Sequence, residues 1–160
     1  MRLVPYAEDH RDLTLALESD PRVMGHLGGV STPEVAERVH RWRVEAPARG
    51  DLFVGVVPDG ATAPVGLLGV WRSEIGDDTV YELGAMILPD FQAQGVASGA
   101  FYLLLPQVRA AGITRLDSFP GVDNVASNAI LQRIGFVRVG ERDLDYEGRS
   151  LRCAHWTRDV

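Results

Sequence analysis

Leu88-Pro89-Asp90-Phe91-Gln92-Ala93-Gln94-Gly95-Val96-Ala97-Ser98 passes within a few residues from an extended apolar run to a helical one. Gly95 allows a backbone conformation that a Cβ would obstruct. Val96, Ala97 and Ser98 fall in the first helical turn, where backbone N–H groups have no intrahelical acceptor. Such donors, with the helix dipole behind them, suit a phosphate or pyrophosphate. The small Ala97 leaves room for close approach, and Ser98 adds a hydroxyl donor. The stretch lacks the Lys-Ser/Thr ending of a P-loop and the Gly-x-Gly-x-x-Gly of a dinucleotide turn. Taken alone, strand-glycine-helix is also an ordinary connection.

Working outward, the residues before the loop form the strand Thr79–Leu88, entered through the turn Gly76-Asp77-Asp78. Leu52–Val57 and Val65–Trp71 read as strands joined at Pro58-Asp59-Gly60. Further upstream, Thr32-Pro33-Glu34 is a helix start, with a hydroxyl at the N-cap and proline at the first helical position. Val35, Val39 and Trp42 are expected to line that helix's buried face, with Pro47 and Gly50 ending it. Leu13, Ala16 and Leu17 mark an earlier helix, interrupted at Ser19-Asp20-Pro21, and Arg2–Tyr6 is a first strand.

Downstream, Ala97, Ala100, Phe101, Leu104 and Val108 form a helical face ending near Gly112, with Pro106 expected to kink it. Arg115–Phe119 is a strand, and Asn124–Ile134 a helix closed by Gly135. Val137–Tyr146 and Ser150–Thr157 form a hairpin turning at Glu147-Gly148. The order β-α-α-β-β-β-α-β-α-β-β excludes a doubly wound nucleotide fold, which alternates strand and helix throughout.

The chain has 160 residues, the size of one domain (1–160), with 46% hydrophobic and 24% charged residues. No apolar run approaches the roughly 20 residues of a membrane span. The early residues turn polar at Glu8-Asp9-His10-Arg11-Asp12, unlike a secretory signal. Cys153 is the only cysteine, which excludes an internal disulfide and a thiolate-rich metal site. His10, His26, His40 and His155 show no metal-ligand spacing and are expected at the surface or core edge. These features place the chain in the cytoplasm with no metal, no membrane and no nucleic acid as partners. The net charge of −6 disfavours a phosphate-backbone surface and suits amines.

Gln92-x-x-Gly95-x-Ala97 after an extended strand resembles the Gln/Arg-x-x-Gly-x-Gly/Ala signature of the GNAT (Gcn5-related) N-acetyltransferases. Asn124-Val125-Ala126-Ser127-Asn128 through Gly135-Phe136 is similar to that family's Asn-x-x-Ser/Ala…Gly-Phe element. Glu82-Leu83-Gly84, the segment Asp20–Gly28 followed by Thr32-Pro33-Glu34, and the Tyr146–Arg149 hairpin with Trp156 resemble its ribosomal-protein-alanine (RimJ/RimL-like) branch. The motifs run in order over nearly the whole chain.

The resemblance implies a mixed α/β (α+β) fold: a mostly antiparallel sheet of about seven strands flanked by helices. It implies acetyl-CoA as donor and a protein N-terminal or small-molecule amine as acceptor, and leaves a homodimer open. Ala85, Met86 and Ile87 would bond the pantetheine through their backbone. The amides of the Gln92–Ser98 loop (Gln92, Ala93, Gln94, Gly95, Val96, Ala97, Ser98) would hold the pyrophosphate. Asn124 would contact the pantetheine arm. The region of His26 and Trp42 would wall the acceptor pocket.

The chain departs from the family pattern in two places. Leu131 stands where many members carry an acid tyrosine, and Leu116-Asp117-Ser118-Phe119 lacks the glutamate some place before Asn124.

Glu82 is the candidate base, since strand alternation puts it on a largely apolar face with Gly84, Met86 and Leu88, a setting that raises a carboxylate pKa. Its other role is a structural glutamate paired with an arginine. Ser127 would donate to the leaving thiolate, or simply cap its helix. Tyr146 is a third acid candidate, with surface packing as its plain role. The enzyme reading stands beside a degenerate acyl-CoA sensor or scaffold of the same fold.

Overall fold

The computed structural model describes residues 1–160. Its sheet has seven strands in the order β1-β2-β3-β4-β5-β7-β6: β1 (Arg2–Pro5), β2 (Leu52–Val57), β3 (Gly66–Ile75), β4 (Asp78–Ile87), β5 (Arg115–Ser118), β6 (Val137–Tyr146) and β7 (Arg149–Asp159). Helices α1 (Arg11–Ser19), α2 (Pro21–Met24), α3 (Pro33–Val44) and α4 (Ala46–Arg49) precede β2. Helix α5 (Val96–Ala110) joins β4 to β5, and α6 (Val125–Arg133) joins β5 to β6. All neighbouring strands pair antiparallel except β4 and β5, whose parallel register is limited to Glu82↔Asp117.

That single parallel pairing is the pivot of the fold. Beyond it, β4 continues through Leu83–Ile87 without β5 beside it, so the strands part and leave an edge in the middle of the sheet. Helices α5 and α6 each begin just after the C-terminal ends of these strands, which brings both N-termini to the opening.

The alternation of β4 divides the core. Leu83 and Ile87 join Val54, Leu68 and Val70 beneath α5 and α6, where Phe101, Leu104 and Leu131 pack. The opposite face carries the α1–α4 layer, with Leu13, Leu17, Phe53 and Leu67 at its centre. Burying these side chains supplies the main drive for folding.

The buried faces of the first helices differ from the hydrophobic pattern. In α1 the buried residues are Leu13, Thr14, Leu17 and Glu18, while Ala16 is exposed. In α3 they are Ala36, His40 and Arg43, while Trp42 stays 37% exposed. The polar residues point inward because they pair with one another, although Arg43 Nε and Nη1 keep no partner. Arg43 donates to Glu18 Oε1 at 2.7 Å, and Ser31 donates to Glu18 Oε2 at 2.8 Å. Tyr6 bonds Thr14 and lies 3.1 Å from His40 Nδ1. His10 and His155 are also buried, so of the four histidines expected at the surface or core edge only His26 is exposed.

Helix α5 runs unbroken through Pro106, which is exposed on its outer side. Strand β3 runs on to Ile75, past the expected end at Trp71, and the β6–β7 hairpin turns at Glu147 (φ 50) and Gly148 (φ 79).

Candidate functional site

The loop from β4 into α5 is held by its own glutamines. Gln92 Nε2 donates to Ile87 O at 2.8 Å and Gln94 Nε2 to Asp90 O at 2.8 Å, while the Gln92 N–H donates to Pro89 O at 3.1 Å. The Gln92 side chain is thus a brace on the loop. Ala93 (φ 57) and Gly95 (φ 77) adopt left-handed conformations, which turn successive amides to one side. The first helical hydrogen bond of α5 is Gly99 N to Gly95 O at 2.9 Å. The N–H groups of residues 93–98 therefore have no protein acceptor. An ideal Cβ on Gly95 would meet no heavy atom within 4 Å, so the space over this turn is open. A row of unspent amides at a helix N-terminus is suited to an anion.

The exposed edge of β4 can be read from its hydrogen-bond phase. Leu88 donates to Val65 O at 2.8 Å, and antiparallel pairs share that phase every second residue. Glu82, Gly84 and Met86 therefore direct their backbone groups to β3. Leu83, Ala85 and Ile87 direct theirs into the opening. The carbonyl of Leu83 is taken by Ser118 Oγ at 2.9 Å, and that of Ile87 by Gln92. What remains on the edge is the N–H and carbonyl of Ala85 and the N–H of Ile87, with Met86 excluded.

Across the opening, Asn124 caps α6. Its Oδ1 accepts from Ser127 N at 3.1 Å, which leaves Nδ2 and the Ser127 hydroxyl without protein partners. Asn124→Ala removes that cap and is expected to cost about 1 kcal/mol. A thermal melt should show a midpoint roughly 2–4 °C lower.

Glu82 lies on the other face of β4, opposite Trp71 on β3. Its Oε2 accepts from Ser73 Oγ at 2.8 Å, and no arginine or lysine pairs with it. Burial raises its pKa, the Ser73 hydrogen bond opposes the rise, and the nearby Asp117 charge adds to it. Asp117 is itself buried, 2.7 Å from His155 Nε2 and 3.2 Å from Arg115 Nη2. Phe119 stacks on the His155 ring at 4.6 Å. Cys153 is buried nearby, its thiol pKa raised by burial and then by Glu82.

The β6–β7 hairpin covers this face. Arg38 on α3 donates to both Glu147 carboxylate oxygens at 2.8 Å, and the Arg149 side chain lies along Gly28 and Gly29. Tyr146 thereby sits among charges from several elements. Its phenol is pushed up to about 12 by burial first and by Glu18 next; Arg43 opposes the rise, and Glu147 and Glu82 add to it. It stays a neutral O–H donor at physiological pH. Trp42 packs edge-on against Phe53 and Trp71 at 5.1 and 5.9 Å. His26 Nδ1 is 3.4 Å from Asp123, beside the start of α6. Leu131 is buried under α5 and faces no site. No group of His, Cys, Asp and Glu side chains is placed to share a metal ion.

A parting pair of parallel strands, a row of free amides at its end and a half-buried glutamate on the strand's other face form one assembly. The family model "Acetyltransferase (GNAT) domain" matches residues 1–137.

The chain belongs to the GNAT acetyltransferase family.

Solved GNAT structures superpose over its whole length. Ribosomal-protein-alanine N-acetyltransferase from Brucella melitensis is 17% identical with a TM-score of 0.80, covering 100% of each chain. An acetyl transferase from Salmonella typhimurium that modifies the N-terminal serine of a 50S ribosomal subunit protein is 18% identical (TM-score 0.76), covering 99% of this chain and 94% of its own. An aminoglycoside acetyltransferase solved with coenzyme A is 13% identical (TM-score 0.79), covering 98% and 93%. At these identities the likeness shows the fold. No curated protein matches in sequence. The seven-stranded, mostly antiparallel sheet with flanking helices is the GNAT fold, and no helix is long and apolar enough to cross a membrane.

Proposed function

We propose that this GNAT chain moves an acetyl group from acetyl-CoA to a primary amine by direct attack in a ternary complex. The observation that carries the reading is the coincidence of the unpaired β4 edge with the amide cradle of residues 93–98. When bound, acetyl-CoA supplies the acetyl group as an activated thioester.

The amides of Ala93 through Ser98 hold the diphosphate, with Gln92 and Gln94 keeping the loop in shape. The Ile87 N–H, the carbonyl of Ala85 and the Asn124 amide orient the pantetheine arm. The Ala85 N–H, on the Glu82 side of Ile87, stabilises negative charge on the thioester oxygen. Glu82, its pKa raised by burial, takes the proton from the attacking amine. The Ser127 hydroxyl donates to the departing sulfur, with Tyr146 as a second donor on the acceptor side. A single unpaired cysteine supports the cytoplasm as the place of work. The acceptor class is a protein N-terminus first, in line with the ribosomal-protein acetyltransferases of the same fold, and a small amine second.

Thiol release from acetyl-CoA with a panel of amines tests the reading. The panel includes peptides starting with alanine or serine, polyamines and an aminoglycoside. Amine-dependent release is expected for at least one member, together with micromolar acetyl-CoA binding by calorimetry. Binding without release for any amine would favour a sensor. No binding at millimolar ligand would overturn the donor assignment.

A further inference from the structure

The carboxylate of Glu82 has one hydrogen-bond partner. Strand β3 places Trp71 directly opposite Glu82 and Ser73 opposite Val80, so Ser73 is the diagonal neighbour of Glu82 on the same face. Its hydroxyl donates to Oε2 at 2.8 Å. Oε1 has no protein partner, and the neighbouring Asp117 spends its own carboxylate on His155 and Arg115. A half-buried carboxylate with no cation beside it is free to turn about its last torsion, which is broad for glutamate. One donor at 2.8 Å removes that freedom.

We propose that Ser73 is the positioning residue of the base: it anchors Oε2, presents Oε1 to the acceptor amine and favours the ionised carboxylate. This rests on the reading of Glu82 as the base. The amine proton goes to Oε1 as the nitrogen–carbon bond forms. The Ser73 hydroxyl keeps its own proton throughout, since it donates to the opposite oxygen. A donor of this kind bonds the carboxylate more strongly than the carboxylic acid. Removing it raises the pH at which the base becomes available. Ser73 is not itself a catalytic residue, because it touches Glu82 and not the reacting atoms.

The test compares Ser73→Ala, Ser73→Val and Ser73→Thr with the wild type in the pH profile of kcat/KM. The Glu82 carboxyl titration is followed in parallel by difference infrared spectroscopy. Valine and threonine have nearly the same shape, so their contrast isolates the hydroxyl from packing. The alanine and valine variants are expected to move the acidic limb up by about one pH unit, on the scale of a hydrogen bond to a charged group. Threonine is expected to restore it, and acetyl-CoA affinity to stay unchanged in all of them. The proposal is overturned if the valine and threonine profiles superimpose. Glu82→Gln separates the two claims. If it abolishes the acidic limb while Ser73→Val leaves the limb in place, only the positioning role fails. If the limb survives Glu82→Gln, the base assignment fails and takes the positioning role with it.

Discussion

Gly95→Glu is expected to lose acetyl-CoA binding while keeping the fold. The position has φ 77 and no heavy atom within 4 Å of an added Cβ, so the first atom of the new side chain meets no protein. It projects into the open space over the amides of residues 93–98, where the diphosphate is proposed to lie. Two effects then act together. A non-glycine residue in the left-handed region costs about 1–2 kcal/mol, which tends to turn the amides away. The added carboxylate stands against phosphate charge at close range, worth on the order of 1–4 kcal/mol per pair at the effective dielectric of a protein surface. At 1.4 kcal/mol per factor of ten, the combined effect of roughly 2–6 kcal/mol is a loss of about 30-fold or more. Calorimetry should show no heat at concentrations that saturate the wild type. Gly95→Ala adds the strain without the charge, so it should weaken binding about tenfold and no more. If both variants bind as the wild type does, the cradle holds no phosphate.

The loop was readable because glycine and the small residues after it are tied to backbone geometry that a sequence displays directly. The succession of strands along the chain was readable for a related reason: Pro58-Asp59-Gly60, Gly76-Asp77-Asp78 and Glu147-Gly148 separate one extended run from the next. What hydrophobic pattern reading misses is polarity that is satisfied in pairs. Thr14, Glu18, His40 and Arg43 are buried against one another, so Ala16 and Trp42 took their places in the expected helix faces. Strand β3 gave the same difficulty. Its apolar run stops at Trp71, yet pairing with β4 carries it through Arg72-Ser73-Glu74 to Ile75. Ser73 was therefore hidden although Glu82 was not, since its role exists only as a cross-strand diagonal. The phase of β4, which separates Ala85 and Ile87 from Met86, needs the partner strand as well. Tyr146 stood as an acid candidate or a surface-packing residue; it is 37% exposed, on a hairpin that the Arg38–Glu147 pair clamps against α3.

Glu82→Gln carries the largest expected effect on chemistry. The glutamine keeps the shape, the place opposite Trp71 and the ability to accept from Ser73, but it cannot take a proton. A positioned general base contributes about 10²–10⁴-fold, so kcat should fall by roughly that factor with acetyl-CoA affinity unchanged. The pH profile is the sharper reading. The pKa of Glu82 is raised by burial, so the wild-type rate should climb as pH rises through a value above the ordinary carboxylate range. The glutamine variant should lack that climb. Stability should move the opposite way. A carboxyl whose folded pKa lies above its unfolded value binds its proton more tightly in the folded state. It favours the fold below the unfolded pKa, and that contribution is lost as pH rises through the folded pKa. Above that pH the neutral glutamine carries no such penalty, so the variant should melt no lower than the wild type. Lost rate with retained stability marks a group kept for its chemistry. A variant that melts lower and turns over at the wild-type rate throughout the pH profile would make Glu82 a structural residue and move the search for the base to Asp117 and His155.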